Sequence, residues 1–518
     1  MAPEQLSGPS SYRPLSLKST KSNEDKPWKI QLIYLQCYFI SIACILGTGI
    51  LGLPGKVAHA GLQPFLVSFV IGFFMQALLI YLFVDLLQRC HSAQLEAVKH
   101  FMVERIQMHD VGAQDPVPSS IEEEEEEEEE TEDADHVLLN QTNGVNCSEK
   151  EHVPNLHILG FLFLNKYLSS VFNILLILQF ISIGISYVLA GSEAFAELLQ
   201  IRHIYVIPFF TWILSFGIIL AQVIIQPITS ILTLAKGTLL IITVMVTFVV
   251  GSEIHQEISN DFSCIGKPFL MGTVALGGIV NVMPMLFSKI SRKRSQVLWF
   301  RRAVTGGLTT CAVLNIFCSE KAGEIATVPL TKIIMEQYRK FAWVAWFTEI
   351  FITISITVSF LVIGSSMKHA LDGWVASFWN RKCKNASKQG EKSCLQLFKI
   401  NNLKSVTQGL VCLLGFGIIF LVALSNPKGF VVLLDKVTSF ALNLEAGLFI
   451  FLMVRNARSE PYTHLTVPLP VSPRIFLLHW LLPVYFLFAV GYDICQSLTL
   501  LAHGWHPMHL LSNNSTNA

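Results

Sequence analysis

Long apolar runs, separated by shorter polar intervals, divide most of the chain into eleven segments. They lie near residues 30–60, 62–88, 167–198, 204–222, 228–250, 267–287, 302–319, 341–366, 405–425, 429–454 and 475–502. A helix needs roughly 20 mainly apolar residues to cross the hydrocarbon core of a bilayer, so the pattern predicts an all-α membrane protein with eleven transmembrane helices. Two runs are interrupted near their middle. The first reads ILGTGILGLPGKVAHAG over residues 45–61, with Gly47, Gly49, Gly52 and then Pro54; the sixth reads GTVALGGIVNVMP over 272–284, with Gly277, Gly278, Asn281 and Pro284. Glycine weakens a helix, proline removes a donor, and hydrocarbon satisfies no freed backbone group. Such stretches persist where the backbone lines a cavity or binds something; close helix packing is the other use of intramembrane glycine. Interruptions five segments apart fit two inverted repeats of five helices, and this pairing favours binding over packing.

Charge sets the expected orientation. Twenty-seven of the 37 Lys and Arg residues fall on one side of an alternating eleven-helix topology and seven on the other, which places the N-terminus in the cytosol. Residues 1–29 then form a disordered cytosolic tail without an apolar signal sequence, 30–88 hold helices 1 and 2, and 167–502 hold helices 3–11, with an extracytosolic tail over 503–518. The interval 89–166 contains nine consecutive glutamates, Glu122–Glu130. Like charges at that density repel and bury nothing, so a disordered, acidic, cytosolic loop is expected. Composition agrees with a membrane chain: only 14% of the 518 residues are charged and the mean hydropathy is +0.52. The 37 acidic residues balance the basic ones, so charge indicates no nucleic-acid partner. Eleven cysteines without CxxC or Cys/His spacing indicate no metal site.

The stretch GTGILGLPGKVAHAG resembles the first-helix signature of the amino acid/auxin permease family, through Gly47, Gly49, Leu51, Leu53, Pro54, Ala60 and Gly61. The resemblance implies a LeuT-like five-plus-five inverted repeat with an eleventh transmembrane helix, and alternating-access transport of amino acids. It also implies a substrate site at the two interruptions, formed by Gly47, Thr48, Gly49 and Gly52 on one helix and Gly277, Gly278 and Asn281 on the other. The chain departs from the family at Cys44, where members often carry Asn; the missing amide oxygen argues against sodium coupling. Thr353 and Thr357, with Ser355 and Ser359 on the eighth segment, either supply part of a coupling site or bond back to their own helix.

Charged residues at membrane depth are functional candidates. Lys236 lies about 12 Å into the fifth segment at 1.5 Å per residue. It either snorkels to the interface or, as the wider amino acid-polyamine-organocation superfamily suggests, carries the coupled proton in place of a sodium ion. Asp435, Lys436, Glu445, Glu349 and Asp493 are read as inter-helix hydrogen-bonding groups, with the adjacent Asp435 and Lys436 pointing about 100° apart and free to reach different partners. Cys264 and Cys318 fall on the outer face, as a disulfide or as two thiols. Of the glycosylation sequons, Asn513 and Asn514 lie on that face. The stretches Tyr12–Leu15 (YRPL) and Asp135–Leu139 (DHVLL) resemble signals read by sorting adaptors and point to an endolysosomal membrane over the cell surface. The sequence therefore reads as a secondary active amino-acid transporter, coupled to protons rather than sodium, with neither cofactor nor enzymatic motif. A non-transporting amino-acid sensor of the same fold and a sodium-coupled transporter are the alternatives.

Overall fold

The computed structural model describes residues 27–49, 61–111, 154–220, 227–239, 241–242, 261–321, 342–387, 394–425 and 430–505. Every regular element among them is helical. In chain order these are α1 (Pro27–Gly49), α2 (Leu62–Val111), the short α3 (Leu156–Phe163), α4 (Lys166–Leu199), α5 (His203–Leu220) and α6 (227–239). The half-helices α7 (Gly266–Leu276) and α8 (Ile279–Phe287) follow, then α9 (Arg294–Lys321), α10 (Ala342–Ser387) and α11 (Cys394–Ser425). A π turn (Glu445–Ile450) joins α12 (Phe430–Leu444) to α13 (Phe451–Asn456), and α14 (Pro473–Leu477) precedes α15 (Leu481–Trp505).

Nine helical spans among the described residues are long and apolar enough to cross a membrane, and they coincide with nine of the eleven predicted segments. The seventh segment is also helical, as α9, but its basic amino-terminal turns dilute its hydropathy. The fifth is described only over 227–239 and 241–242. Phe74, Tyr167, Phe209, Ile213, Leu220, Leu414, Val484 and Phe488 project outward, most of their surface uncovered, as expected of side chains that meet lipid. The polar side chains Ser41, Gln179, Thr211, Lys236, Ser359 and Glu445 turn inward.

At the centre, α1 packs along α9 and α10, while α4 packs on α5, α10, α11 and α12. The broken pair α7 and α8 threads through this core against α1, α2 and α12, and its span is the most deeply buried of the nine.

Within the interval 89–166, expected to be disordered, both ends are helical. Residues 89–111 continue α2, because SAQLEAVKHFMVERIQ is built largely of strong helix formers and extends a helix already nucleated. At the far end α3 is folded and buries Leu156, Leu159 and Phe163, with its first turn capped by Asn155, whose side chain accepts from the Ile158 amide at 2.9 Å. The acidic run itself, Glu122–Glu130, lies outside the described residues.

The stretch 457–472 is clamped onto α2. Asp85 accepts from Arg89 Nε at 3.0 Å, from Arg458 Nη2 at 3.0 Å and from the Val471 amide at 3.3 Å. One turn along, Gln88 exchanges two hydrogen bonds with the backbone of Leu469, and Ser92 donates to Thr466 O while accepting from Arg292.

Candidate functional site

The sixth segment breaks where the sequence places its paired glycines. Gly277 ends α7 in an extended conformation, and Gly278 turns into the left-handed region at φ 78° before α8 begins. A side chain at Gly278 would strain the backbone. At Gly277 the obstacle is steric, since a Cβ there would come within 2.7 Å of Thr273 O. Pro284, by contrast, sits inside α8 and does not mark the break.

Polar groups gather at this break without mutual satisfaction. Asn281, in the first turn of α8, is 2% exposed, and neither its Nδ2 nor its Oδ1 has a hydrogen-bond partner. Gln76 of α2 is also buried; its Oε1 is unpartnered and its Nε2 lies 3.6 Å from where a Gly277 Cβ would stand. Desolvating such groups without a partner costs about 1–3 kcal/mol each, so they mark a place built for a polar occupant. The start of α8 adds the positive end of a helix dipole.

Cys44 of α1 touches the same break, its Sγ donating to Gly278 O at 3.6 Å. One residue earlier, the Ala43 carbonyl is the meeting point of three elements. Lys236 Nζ from α6 donates to Ala43 O at 3.4 Å and to Ser359 Oγ of α10 at 3.3 Å, and Ser359 stands 3.2 Å from the same carbonyl. Lys236 is fully buried, which excludes snorkelling in this conformation. Tyr187 of α4 lies beside Ser359 and Cys44, and Cys311 of α9 donates to the neighbouring Ile42 carbonyl at 3.8 Å. Cys44 thus stands between the lysine and the broken helix.

Other expected site residues fall elsewhere. Thr353 and Thr357 donate to the carbonyls of Glu349 and Thr353, back-bonding their own helix, and face an apolar cleft with Phe195, Leu198 and Leu232. The structure brings Ser359 to Lys236 instead. A shift of two residues along a helix moves a side chain about 200° around it, and alternating Thr and Ser gave no sign of which face is inward. Gly47, Thr48 and Gly49 form the carboxyl end of α1, their side chains undescribed; Gly52, Pro54, Asn513 and Asn514 lie outside the described residues. The side chains of Cys264 and Cys318 are likewise outside them.

Two intramembrane acids find partners across helices. Lys436 pairs with Asp493 of α15. Glu445 accepts from Gln179 of α4 through one oxygen only. Among the described residues no group of three or more His, Cys, Asp or Glu side chains is placed to hold a metal ion.

No protein-family model and no curated protein matches the chain. Solved structures do. Two variants of the manganese transporter of Eremococcus coleocola superpose with TM-scores of 0.50 and 0.51, at 9% identity, over 94% of this chain and 90% of theirs. At that identity the likeness concerns the fold, and on it this chain has the all-helical fold of a membrane transporter.

Proposed function

We propose that this protein is a secondary active transporter of amino acids, driven by protons. The observation that carries the reading is the break at Gly277–Gly278, with the buried, unpartnered amide of Asn281 beside it. An amino acid's carboxylate suits the start of α8 and Asn281 Nδ2, while its ammonium suits freed carbonyls and the oxygens of Asn281 and Gln76. Gly47, Thr48, Gly49 and Gly52 supply the opposite wall in this reading, within a LeuT-like five-plus-five arrangement and an eleventh helix. Lys236 carries the proton. Charged, it ties the α1 carbonyl of Ala43 to Ser359 of α10; neutral, it holds them less tightly, so its protonation biases how α1 sits against α10. Sorting through Tyr12–Leu15 and Asp135–Leu139 to an endolysosomal membrane belongs to the same proposal.

The fold neighbours are manganese transporters. A hard divalent cation favours carboxylate ligands, and the described residues around this break present a thiol, carboxamides and carbonyls. That chemistry suits a zwitterion better than a divalent ion.

The test is uptake by the purified chain in liposomes, with inside and outside pH set independently, with and without sodium, offering a panel of labelled amino acids and manganese. Amino-acid uptake that follows the proton gradient and ignores sodium is expected, and Lys236→Gln should lose the gradient-driven part. Manganese uptake alone, or sodium dependence, would overturn the assignment; amino-acid binding without flux would make the protein a receptor.

A further inference from the structure

The buried acid of the tenth segment plays no part in the mechanism above, and its surroundings are unusual. Glu445 is 0% exposed and opens the π turn between α12 and α13. Single π turns within α-helices recur at functional sites. The opposite face of the turn packs closely on α15, where a Cβ on Gly447 would stand 2.8 Å from Phe486 Cβ. On the α4 side stands Gln179, also 0% exposed, whose Nε2 donates to Glu445 Oε2 at 3.1 Å. The remaining oxygens of the pair, Glu445 Oε1 and Gln179 Oε1, are both buried and both without a hydrogen-bond partner.

Two orphan acceptors on two hydrogen-bonded side chains lack one thing, a donor. A single hydrogen supplies it. We propose that Glu445 is a proton-binding site, occupied as the neutral carboxylic acid: Oε1–H donates to Gln179 Oε1 while Gln179 Nε2 donates to Glu445 Oε2, a closed acid–amide pair joining α4 to the π turn. Gain of the proton forms one O–H bond and removes one negative charge from the core; its loss restores the carboxylate and sets two acceptors against each other. The elements packed on the turn carry other titratable groups, among them Tyr187 on α4, Lys436 on α12, Arg455 on α13, and Tyr485 and Asp493 on α15. Lys436 and Asp493 pair with each other, Arg455 stacks on Trp480, and Tyr187 lies beside Ser359, so none of these supplies the missing donor. The Tyr485 ring packs on Phe269 and Phe486. The site is separate from Lys236 and does not depend on the transport reading.

Infrared titration of the full-length protein in detergent tests it without any transport assay. The wild-type spectrum should contain a protonated-carboxyl carbonyl band that titrates away on alkalinisation and is lost in Glu445→Gln. Gln179→Leu should retain the band but shift it to higher frequency, because the acid loses its amide partner. As a neutral isostere, Glu445→Gln should also elute as a folded species with a melting temperature less sensitive to pH than wild type. Coincident spectra of wild type and Glu445→Gln from acidic to alkaline pH would overturn the proposal. So would a Glu445→Gln protein that fails to fold where Glu445→Asp succeeds, since the site would then demand the charge.

Discussion

Gly278 isolates conformation from contact. The nearest atom to a Cβ built there is Cys44 Sγ at 4.0 Å, an ordinary van der Waals distance, yet the backbone is left-handed. Gly278→Ala should therefore lower stability by about 1–3 kcal/mol through strain alone, and Gly278→Asn, which tolerates that region better, by less; thermal melts in detergent would show the order. At the lysine, the two polar faces of α10 give opposite expectations. Ser359→Ala removes a partner of both Lys236 and Ala43 and should shift the pH profile of uptake, whereas Thr357→Ala should leave the profile in place. Lys236 and the glycine pair stood out in the sequence because each breaks a rule for its setting, a charge in hydrocarbon and a gap in a helix, whereas Cys44 stood out only through the family resemblance. Ser359 was named alongside Thr353, Ser355 and Thr357, and only the rotation of α10 singles it out.

Among the elements, helix ends were the least legible. Apolar patterning stops where the membrane stops, but helix propensity does not, and α2 runs 50 residues. What holds its middle is the clamp on Asp85, whose side chain is 4% exposed and serves two arginines and a backbone amide. Removing one partner of a buried ion pair leaves an uncompensated charge, so Asp85→Asn should cost about 3 kcal/mol and free the stretch 457–472 from α2. Limited proteolysis of that stretch, compared between wild type and variant, would register the release. The sequence offered no cue to this pairing, because 373 positions separate Asp85 from Arg458, although Asp85 itself is an acid within the second apolar run. The half-satisfied Glu445 was hidden for a related reason: its charge was visible, its partner on α4 was not.

For the molecule as a whole, the placement of spans was largely readable, since nine of the eleven predicted segments recur as apolar helices among the described residues. Orientation rests on the distribution of Lys and Arg, and it predicts where sugar is added. Glycosidase treatment of the chain from cells should change its mobility, the change should vanish in the Asn513→Gln, Asn514→Gln double variant, and Asn140→Gln should not affect it. A glycan on Asn140 would reverse the sidedness of every loop. Substrate selectivity was not readable, because it depends on which side chains converge at Gly277–Gly278 from helices far apart in sequence.

The length of α2 also makes it an indicator. From the Asp85 clamp to Val111 it extends 26 residues, about 40 Å at 1.5 Å per residue. If the clamp acts as a pivot, a tilt of about 10° sweeps the tip through about 7 Å, a displacement set by that rigid rise per residue. Small rearrangements among packed helices in the core would then emerge at the end of α2 as motions large enough for paired spin labels to resolve, the helix acting as the pointer of a gauge.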